Sequence, residues 1–453
     1  MKYFLTLIQL WVGFLSICAS YPKANIWIIP SVESPQVYRN YAQTSKVHLE
    51  MARGEVEHIQ LVFPSKVNEE YRFTFDRYLK GIQISARELK KMNGYYDALV
   101  PFKNQLKCTD TLTAVWITVQ CPSRVPVGKY HQTIKIEGSK HFTIQLDYNV
   151  HHTTIPLKSS IPITVGVENR CMTECLNDKE ADKERQRWVD FVLSYRMTPV
   201  FGTQITPERW QYEHSFSPWA WNDKRSIRLL NDRRYSCYML PFFTLSENEL
   251  ASLLCNIQKK GKLKESLFYI WDEPAYMEDY EQIKRKVNII RKYASDARIL
   301  TTFFCGPRNG PRKGDLYAVF DYLKHHIHVA TISLAPCKGN EEEVQHIRYK
   351  VPEGIDWWSY VCWQPGGNEP NFLLQMKGIQ QRAIMWRTWK NGSQGFLYWN
   401  CNIYHKRNPF TYITDMPHGD GILIYPGDIL GCKGPIALSL IHISEPTRLA
   451  LIS

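Results

Sequence analysis

The chain has 453 residues, of which 44% are apolar, 13% aromatic and 22% charged, and this composition excludes an intrinsically disordered chain and a small disulfide-stabilised scaffold. At roughly 100–200 residues per domain, the length accommodates two or three domains. The 56 Lys and Arg residues exceed the 44 Asp and Glu residues and give a formal charge of +12. The excess is spread in short groups typical of solvated helix surfaces, such as Lys284-Arg285-Lys286, so we expect no nucleic-acid partner.

The N-terminal segment predicts export. Lys2 precedes an apolar stretch from Phe4 to Ile17, and the small residues Cys18-Ala19-Ser20 follow, which is the order of regions in a secretory signal peptide. The apolar stretch is shorter than the roughly 20 residues that span a bilayer, so we favour removal of residues 1–20 over a retained anchor. Lipid attachment at Cys18 is the other alternative. The mature chain, starting at Tyr21, is predicted to have no membrane span and to be extracellular, periplasmic or lysosomal.

The cysteines and the short motifs limit which disulfides, metal sites and enzyme classes the sequence predicts. Loss of Cys18 with the signal leaves eleven of the twelve cysteines, an odd number, and spacing makes Cys171 with Cys175 and Cys401 with Cys432 possible disulfides. No second close cysteine pair accompanies Cys171 and Cys175, so no metal site is predicted. The sequence also contains no G-x-S-x-G, no phosphate-binding loop ending in G-K-[ST] and no G-x-G-x-x-G, which disfavours serine hydrolases and nucleotide enzymes. We expect no cofactor.

Residues 21–158 are predicted to form an all-β sandwich. Short strand patterns such as Glu55–Phe63, Thr113–Val119 and Thr133–Ile136 alternate with turn signals and carry almost no helical periodicity. Strands spaced by 8 to 12 residues are typical of a sandwich. The proline-containing stretch from Thr154 to Pro162 is predicted to be the linker to the next domain.

Residues 159–437 are predicted to form a (β/α)8 barrel of the TIM type, an α/β barrel that would be the catalytic domain. Amphipathic helices separate several of the apolar runs, as in the repeat of Trp188, Phe191, Val192 and Tyr195 at helical spacing. Eight strands alternating with helices over this length match the barrel, and an open doubly wound sheet is the alternative. The eight runs are Ile163–Val167, Thr198–Phe201, Cys237–Phe243, Leu267–Trp271, Ile299–Phe304, Val329–Leu334, Trp357–Cys362 and Gly395–Trp399.

The fourth run ends in two adjacent acids. Asp272 and Glu273 follow Trp271 directly, and Pro274 comes next. In a barrel the catalytic groups lie where the strands end, at the C-terminal face, and two carboxylates are costly to desolvate there. Helix capping is the structural alternative. We predict that the pair is catalytic, because the seventh and eighth runs end in aromatic residues without an acid and leave this pair as the only well-placed carboxylates.

A single acid/base with an adjacent carboxylate suits substrate-assisted glycoside hydrolysis. In that reaction the sugar's own 2-acetamido oxygen attacks the anomeric carbon, Glu273 would protonate the leaving oxygen, and Asp272 would orient the acetamido N–H.

The sequence contains five further motifs, Glu55-x4-Gln60, Trp271-Asp-Glu-Pro274, Arg382-x3-Trp386, Gly395–Trp399 and Gly419–Gly427. Their order and spacing resemble glycoside hydrolase family 123. The resemblance covers most of the mature chain to about Ile436, and it implies a sandwich followed by a barrel and a retaining β-N-acetylgalactosaminidase that acts through an oxazoline-type intermediate. It maps the catalytic roles onto Asp272 and Glu273.

Strand-end position then predicts the residues that contact the sugar. They are Trp358, Tyr360, Trp399, Asn400 and, in the last loop, Asp420. Each aromatic residue could instead belong to the barrel core, and stacking against a sugar face is the functional interpretation. A β-N-acetylglucosaminidase or another glycosidase on the same fold, and a non-catalytic secreted carbohydrate-binding protein, are the alternative functions. In each case the partner is a carbohydrate, an N-acetylhexosaminide glycan or glycolipid in the leading hypothesis.

The C-terminus departs from the family pattern. From Leu438 to Arg448 the sequence resembles the translated read-through of a sequencing adapter, so we expect residues 438–453 to be non-native and the barrel to lack its final helix.

Overall fold

The computed structural model describes residues 25–76, 81–206, 211–335, 349–410, 416–439 and 441. The predicted signal peptide and all of the predicted non-native tail except 438, 439 and 441 lie outside these ranges. Among the helices in the described ranges, none has both the length and the apolar character needed to cross a bilayer.

The N-terminal part is built from two five-stranded sheets. One sheet has the order β1-β3-β8-β5-β6 and the other β2-β10-β9-β4-β7. Their strands are β1 (Trp27–Pro30), β2 (Lys46–Arg53), β3 (Val56–Pro64), β4 (Glu70–Phe75), β5 (Gln83–Met92), β6 (Tyr95–Pro101), β7 (Gln105–Lys107), β8 (Leu112–Gln120), β9 (Gly128–Glu137) and β10 (His141–Thr154).

The two sheets differ in how they are buried. Strands β3 and β8 are buried at nearly every position, whereas β9 and β10 alternate between buried and exposed residues. One face of the first sheet packs on the second sheet through residues such as Leu61 and Ile117, and its other face contributes Val62 and Trp116 to the core shared with the C-terminal part. A sheet covered on both faces buries successive residues of its strands, which explains why β3 and β8 are buried at nearly every position although they include polar residues such as Gln60 and Thr118.

The C-terminal part is a nearly closed sheet of nine strands in the order β13-β12-β11-β19-β18-β17-β16-β15-β14. All neighbours are parallel except β13, which forms an antiparallel hairpin with β12. The strands are β11 (Ile163–Glu168), β12 (Thr198–Thr206), β13 (Gln211–Ser215), β14 (Tyr238–Met239), β15 (Ser266–Trp271), β16 (Arg298–Phe303), β17 (Val329–Ser333), β18 (Asp356–Val361) and β19 (Phe396–Tyr398). Each of the eight predicted apolar runs overlaps one of the parallel strands, and the hairpin strand β13 is an addition.

Helices follow most of these strands and cover the outside of the sheet. They are α1 (Asn169–Thr173), α2 (Asp178–Ser194), α3 (Lys224–Leu229), α4 (Glu247–Lys259), α5 (Met277–Arg291), α6 (Leu316–Leu323) and α7 (Gly378–Lys390). Capping boxes begin α2 at Asn177 and α4 at Ser246, as short polar side chains satisfy the first free N–H groups of a helix. After β19 come the short strands β20 (Ile424–Pro426) and β21 (Pro435–Ala437), joined by a 3-10 turn at Gly427–Leu430.

Alternation along the barrel strands separates two cores. Leu267 and Tyr269 of β15 point into the barrel, while Phe268 and Ile270 pack outward against the helices. The two halves of the chain meet around Ser31, whose carbonyl accepts a hydrogen bond from Gln60 and whose hydroxyl accepts one from Arg382. Two of the family-like motif residues therefore hold the sandwich against α7.

The cysteine pairs suggested by spacing are not disulfides. Cys171 and Cys401 are buried thiols, Cys175 is exposed, and all cysteines in the described ranges are free. A four-residue separation leaves Cys171 inside α1 while Cys175 lies beyond its end at a φ of 67°, so the two side chains are not held together by one element.

Candidate active site

A cavity of about 420 Å³ opens at the C-terminal ends of the barrel strands. Residues at or just beyond seven strand ends line it, which is where parallel strands of a barrel deliver functional groups. Gly166 allows the strand ends to close together, because a Cβ at this position would lie 1.9 Å from the carbonyl oxygen of Trp399. The walls are largely apolar and aromatic, with a few convergent polar groups, as is typical of small-molecule sites.

Asp272 and Glu273 lie in this cavity, directly after β15. Glu273 has a φ of 43°, a left-handed conformation that is uncommon for residues other than glycine. Its backbone N–H donates a hydrogen bond of 2.9 Å to the hydroxyl of Thr302 on the neighbouring strand β16. The unusual backbone turns the two adjacent side chains into the same cavity, and Thr302 holds that turn.

Two hydroxyl groups fix the carboxylate of Asp272. Tyr269 donates to its Oδ1 at 2.6 Å, and Thr302 donates to the same oxygen at 2.8 Å. Tyr269 and Thr302 are inward-facing residues of adjacent strands and are buried. The imidazole of His214 stacks on the ring of Tyr269 with centroids 4.2 Å apart, and burial lowers the pKa of His214 to about 3. One oxygen of Asp272 is thus occupied by the protein while the side chain remains open to the cavity.

Glu273 has the environment of a proton donor. Its side chain is reachable from the cavity, yet the surrounding protein removes much of its hydration. Desolvation, followed by the nearby charge of Asp272, raises the pKa of Glu273 to about 6, and the hydrogen bond that the Tyr360 hydroxyl donates to its Oε1 opposes this rise. A carboxyl with a pKa near 6 can be protonated when it gives a proton and ionised when it accepts one.

A second wall of the cavity is formed by the segment after β19 and by the last loop. Trp399 donates its indole N–H to Oδ1 of Asp420 at 2.9 Å, and the hydroxyl of Tyr398 lies 3.4 Å from the same oxygen. Asp420 is fully buried, and burial raises its pKa to about 6. Its Oδ2 has no hydrogen-bond partner among the described residues. The side-chain oxygen of Asn400, also on this wall, accepts from the backbone N–H of Asn402.

The structure brings together all but one of the predicted site residues. Tyr360, Trp399, Asn400 and Asp420 line the same cavity as the acid pair. Trp358 does not, and its prediction as a sugar-contacting residue is corrected here. Because side chains alternate along a strand, Trp358 points inward like Tyr360 but lies one layer deeper, where it packs against Gly395 in the barrel interior.

Several lining residues were missed by the sequence analysis. Tyr269 and Thr302 hold the acid pair, and His214 stacks on Tyr269. Glu168 is a further buried carboxylate directly after the apolar part of β11. The prediction that Asp272 and Glu273 were the only well-placed acids is therefore wrong. The signal for Glu168 was present, since it follows the first apolar run as Asp272 follows the fourth.

Comparisons with known proteins agree with this architecture. A family model described as the glycoside hydrolase 123 catalytic domain matches residues 183–437, more than half of the chain. In structure the chain is similar to a family 123 glycoside hydrolase from Clostridium perfringens studied for glycolipid glycan hydrolysis, with a TM-score of 0.65, 13% identity, and coverage of 93% of this chain and 86% of that one. At this identity the likeness concerns the fold alone.

Two further glycoside hydrolase structures are much less similar to the chain. A GH39 β-xylosidase from Caulobacter crescentus has a TM-score of 0.39 at 9% identity, covering 65% of this chain and 72% of that one. A GH5 xyloglucanase from Bacteroides ovatus has a TM-score of 0.28 at 9% identity, covering 83% of this chain and 95% of that one. No curated protein matches the chain in sequence.

Proposed function

The chain belongs to glycoside hydrolase family 123, and we propose that it is a retaining exo-glycosidase that removes terminal β-linked N-acetylgalactosamine. It is a glycoside hydrolase with a carbohydrate substrate. The finer proposal is that the 2-acetamido group of the sugar acts as the nucleophile and that Asp272 and Glu273 assist it. The glycolipid glycans named for the similar Clostridium perfringens enzyme are the substrate class we propose here.

The proposal rests on one observation, which is that Asp272 and Glu273 have different surroundings. Tyr269 and Thr302 both donate to Oδ1 of Asp272, which orients this carboxylate and leaves Oδ2 to accept the acetamido N–H. Glu273 has the raised pKa expected of an acid/base. Adjacent residues on one strand end supply the two different roles through different surroundings.

The proposed reaction has two steps. In the first, Glu273 transfers its proton to the glycosidic oxygen, the bond from that oxygen to C1 breaks, and the acetamido oxygen bonds to C1 to give an oxazoline-type intermediate. Asp272 accepts the hydrogen bond of the acetamido N–H and stabilises the positive charge that develops there. In the second step, Glu273 takes a proton from water as the water oxygen attacks C1, and the acetamido group is released. Two inversions at C1 retain the β configuration.

The remaining walls of the cavity suit the sugar itself. Trp399 is partly exposed to the cavity and is fixed by Asp420, so its ring can stack against an apolar sugar face. Tyr360, Asn400 and Asp420 supply polar groups around it. We assign Trp399 to stacking and Asp420 to a sugar hydroxyl.

Two further proposals concern the whole chain. The nearly closed sheet with its outer helices is best interpreted as a (β/α)8 barrel, with β11, β12, β14 and β15 to β19 as its eight strands. The leader-like residues 1–20 support export through the secretory pathway, where terminal residues of glycans and glycolipids are accessible.

Hydrolysis of matched substrates tests the proposed function. We expect the chain to release the aryl alcohol from aryl N-acetyl-β-galactosaminide faster than from aryl N-acetyl-β-glucosaminide. Glu273→Gln should lose activity, while the control Glu278→Gln, an exposed acid in the first turn of α5, should retain it. Equal or greater activity on the glucosaminide would change the proposed sugar. Full activity in Glu273→Gln would remove the acid assignment, and binding without turnover would favour a carbohydrate-binding protein.

A further inference from the structure

A buried carboxylate outside the acid pair faces the same cavity. Glu168 ends β11, is 5% exposed, and lines the cavity. Its Oε1 accepts a hydrogen bond of 3.2 Å from the backbone N–H of Arg170. Its Oε2 has no hydrogen-bond partner among the described residues, and a Cβ placed on Gly202 would lie 3.9 Å from it. The mechanism proposed above does not use this group.

Glu168 and the acid pair lie at the ends of different strands. In the nearly closed sheet, β12 and β14 lie between β11 and β15 on one side, and β16 to β19 lie between them on the other. On this second side β11 is the direct neighbour of β19, whose continuation Trp399 holds Asp420. Glu168 and Asp272 nevertheless share one wall residue. Burial, with the charge of Glu168 next and that of Asp272 also contributing, raises the pKa of the Tyr212 phenol to about 12. Glu168 and Asp272 therefore reach the same cavity from strand ends that are not neighbours in the sheet.

The charged side chains that line the cavity are all acidic. Four carboxylates line it, and no Lys or Arg is among its lining residues in the described ranges. Carboxylates that lack a cationic partner are costly to bury and recover part of that cost by accepting hydrogen bonds. The hydroxyl groups of an uncharged sugar are suitable donors, whereas a sulfate or a uronate would be repelled.

We propose that Glu168 is a substrate-binding residue that accepts a hydrogen bond from a hydroxyl at C3, C4 or C6 of an uncharged N-acetylhexosamine. The inference rests on the proposed function, because C1 and the acetamido group must face Asp272 and Glu273 for the far hydroxyls to face Glu168. With Asp420 on the adjacent wall, Glu168 would distinguish sugars by the positions of these hydroxyls. A site built to accept from a hydroxyl discriminates strongly against a sugar that lacks it.

Capping of α1 is the structural role that Glu168 already has, and the test separates it from binding. Glu168→Gln keeps a side-chain oxygen that can accept from Arg170 and removes the charge. Glu213→Gln is the matched control: Glu213 is also buried, but its Oε1 accepts from the N–H of Phe242 and its Oε2 from the N–H of Thr244, at 2.8 and 2.7 Å, and it does not line the cavity.

The experiment measures the Kd of N-acetylgalactosamine and of its 3-deoxy, 4-deoxy and 6-deoxy derivatives by calorimetry, with hydrolysis of the aryl glycoside in parallel. Because burial raises the pKa of Glu168 to about 7, the binding is measured at pH 8, where this carboxyl is ionised. There we expect Glu168→Gln to weaken binding of the parent sugar by about 10- to 100-fold, as for a hydrogen bond to a charged group. One deoxy derivative should bind the parent chain and Glu168→Gln equally. Glu213→Gln should show neither effect.

Two results would overturn the inference: an unchanged Kd in Glu168→Gln, or the same fold-loss for the parent sugar and all three deoxy derivatives. Because calorimetry measures binding without turnover, the role of Glu168 and the proposed function can be refuted independently. Absence of hydrolysis with the deoxy pattern intact would remove the proposed function alone, while normal hydrolysis without the deoxy pattern would remove the role of Glu168.

Discussion

Replacing Thr302 with valine removes the one side chain that holds both members of the acid pair. The hydroxyl of Thr302 donates to Asp272 at 2.8 Å and accepts from the backbone N–H of Glu273 at 2.9 Å. Valine has nearly the same shape but neither bond. A hydrogen bond to a charged group contributes about 1.5–3 kcal/mol, and the N–H of Glu273 would lose its partner in a left-handed turn.

We therefore expect Thr302→Val to lower kcat/KM by about 10- to 100-fold, the factor that corresponds to roughly 1.4–2.8 kcal/mol of lost transition-state stabilisation. The loss should fall on kcat, because Asp272 and Glu273 act on the developing charge rather than on ground-state binding. Thr302→Ser keeps the hydroxyl and should restore most of the activity.

Thr301→Val is the matched control for this change. Thr301 is the preceding residue of the same strand, is fully buried, and its hydroxyl has no hydrogen-bond partner in the described structure. The same substitution there should leave kcat unchanged and stability equal or higher, since it removes an unsatisfied polar group. Steady-state kinetics and thermal unfolding of the four proteins make the comparison. Equal kcat in Thr302→Val and the parent, or equal losses in Thr302→Val and Thr302→Ser, would refute the reasoning.

Three further predictions concern titration. In Tyr360→Phe the hydrogen bond that lowers the pKa of Glu273 is lost, so the alkaline limb of kcat/KM, expected near pH 6, should move to higher pH; a move to lower pH contradicts the assignment. Asp272→Asn removes a charge that raises the same pKa, so the remaining activity should have its alkaline limb at lower pH. Asp97 is fully buried, and desolvation raises its pKa from 3.8 to about 7 although the hydroxyl of Tyr425 donates to it. Its protonated form is favoured on folding, so stability should be lost as the pH rises from about 4 to 7, and thermal unfolding of Asp97→Asn should show a smaller loss over this range.

The sequence predicts the barrel strands well because each is an apolar run long enough to be buried on both sides. The acid pair could be found for the same reason, since carboxylates directly after such a run are rare. Asp420 was identified only through the family-like motif in the last loop, as it follows no long strand. The hairpin strand β13 was missed because its residues, Gln211–Ser215, are mostly polar and lack a strand-like apolar pattern.

The residues that support Asp272 and Glu273 could be identified only from the register of the strands in the structure. Tyr269 and Thr302 lie inside apolar runs that were predicted only as barrel strands. Their hydroxyls reach one oxygen of Asp272 because both side chains point into the barrel from the neighbouring strands β15 and β16. The same inward orientation places Trp358 one layer below the cavity. Strand alternation predicts which side chains point inward, but how far along the barrel axis each one lies depends on where the neighbouring strands begin.

The central claim is that the acetamido group of the substrate is the nucleophile, and fluorine substitution on that group tests it most directly. Each fluorine withdraws electrons from the amide oxygen without adding much bulk. Across aryl β-galactosaminides with N-acetyl, N-fluoroacetyl, N-difluoroacetyl and N-trifluoroacetyl groups, the account predicts that kcat falls steeply with every fluorine. A kcat that does not depend on the number of fluorines would contradict participation of the acetamido group and would assign the nucleophile to the protein.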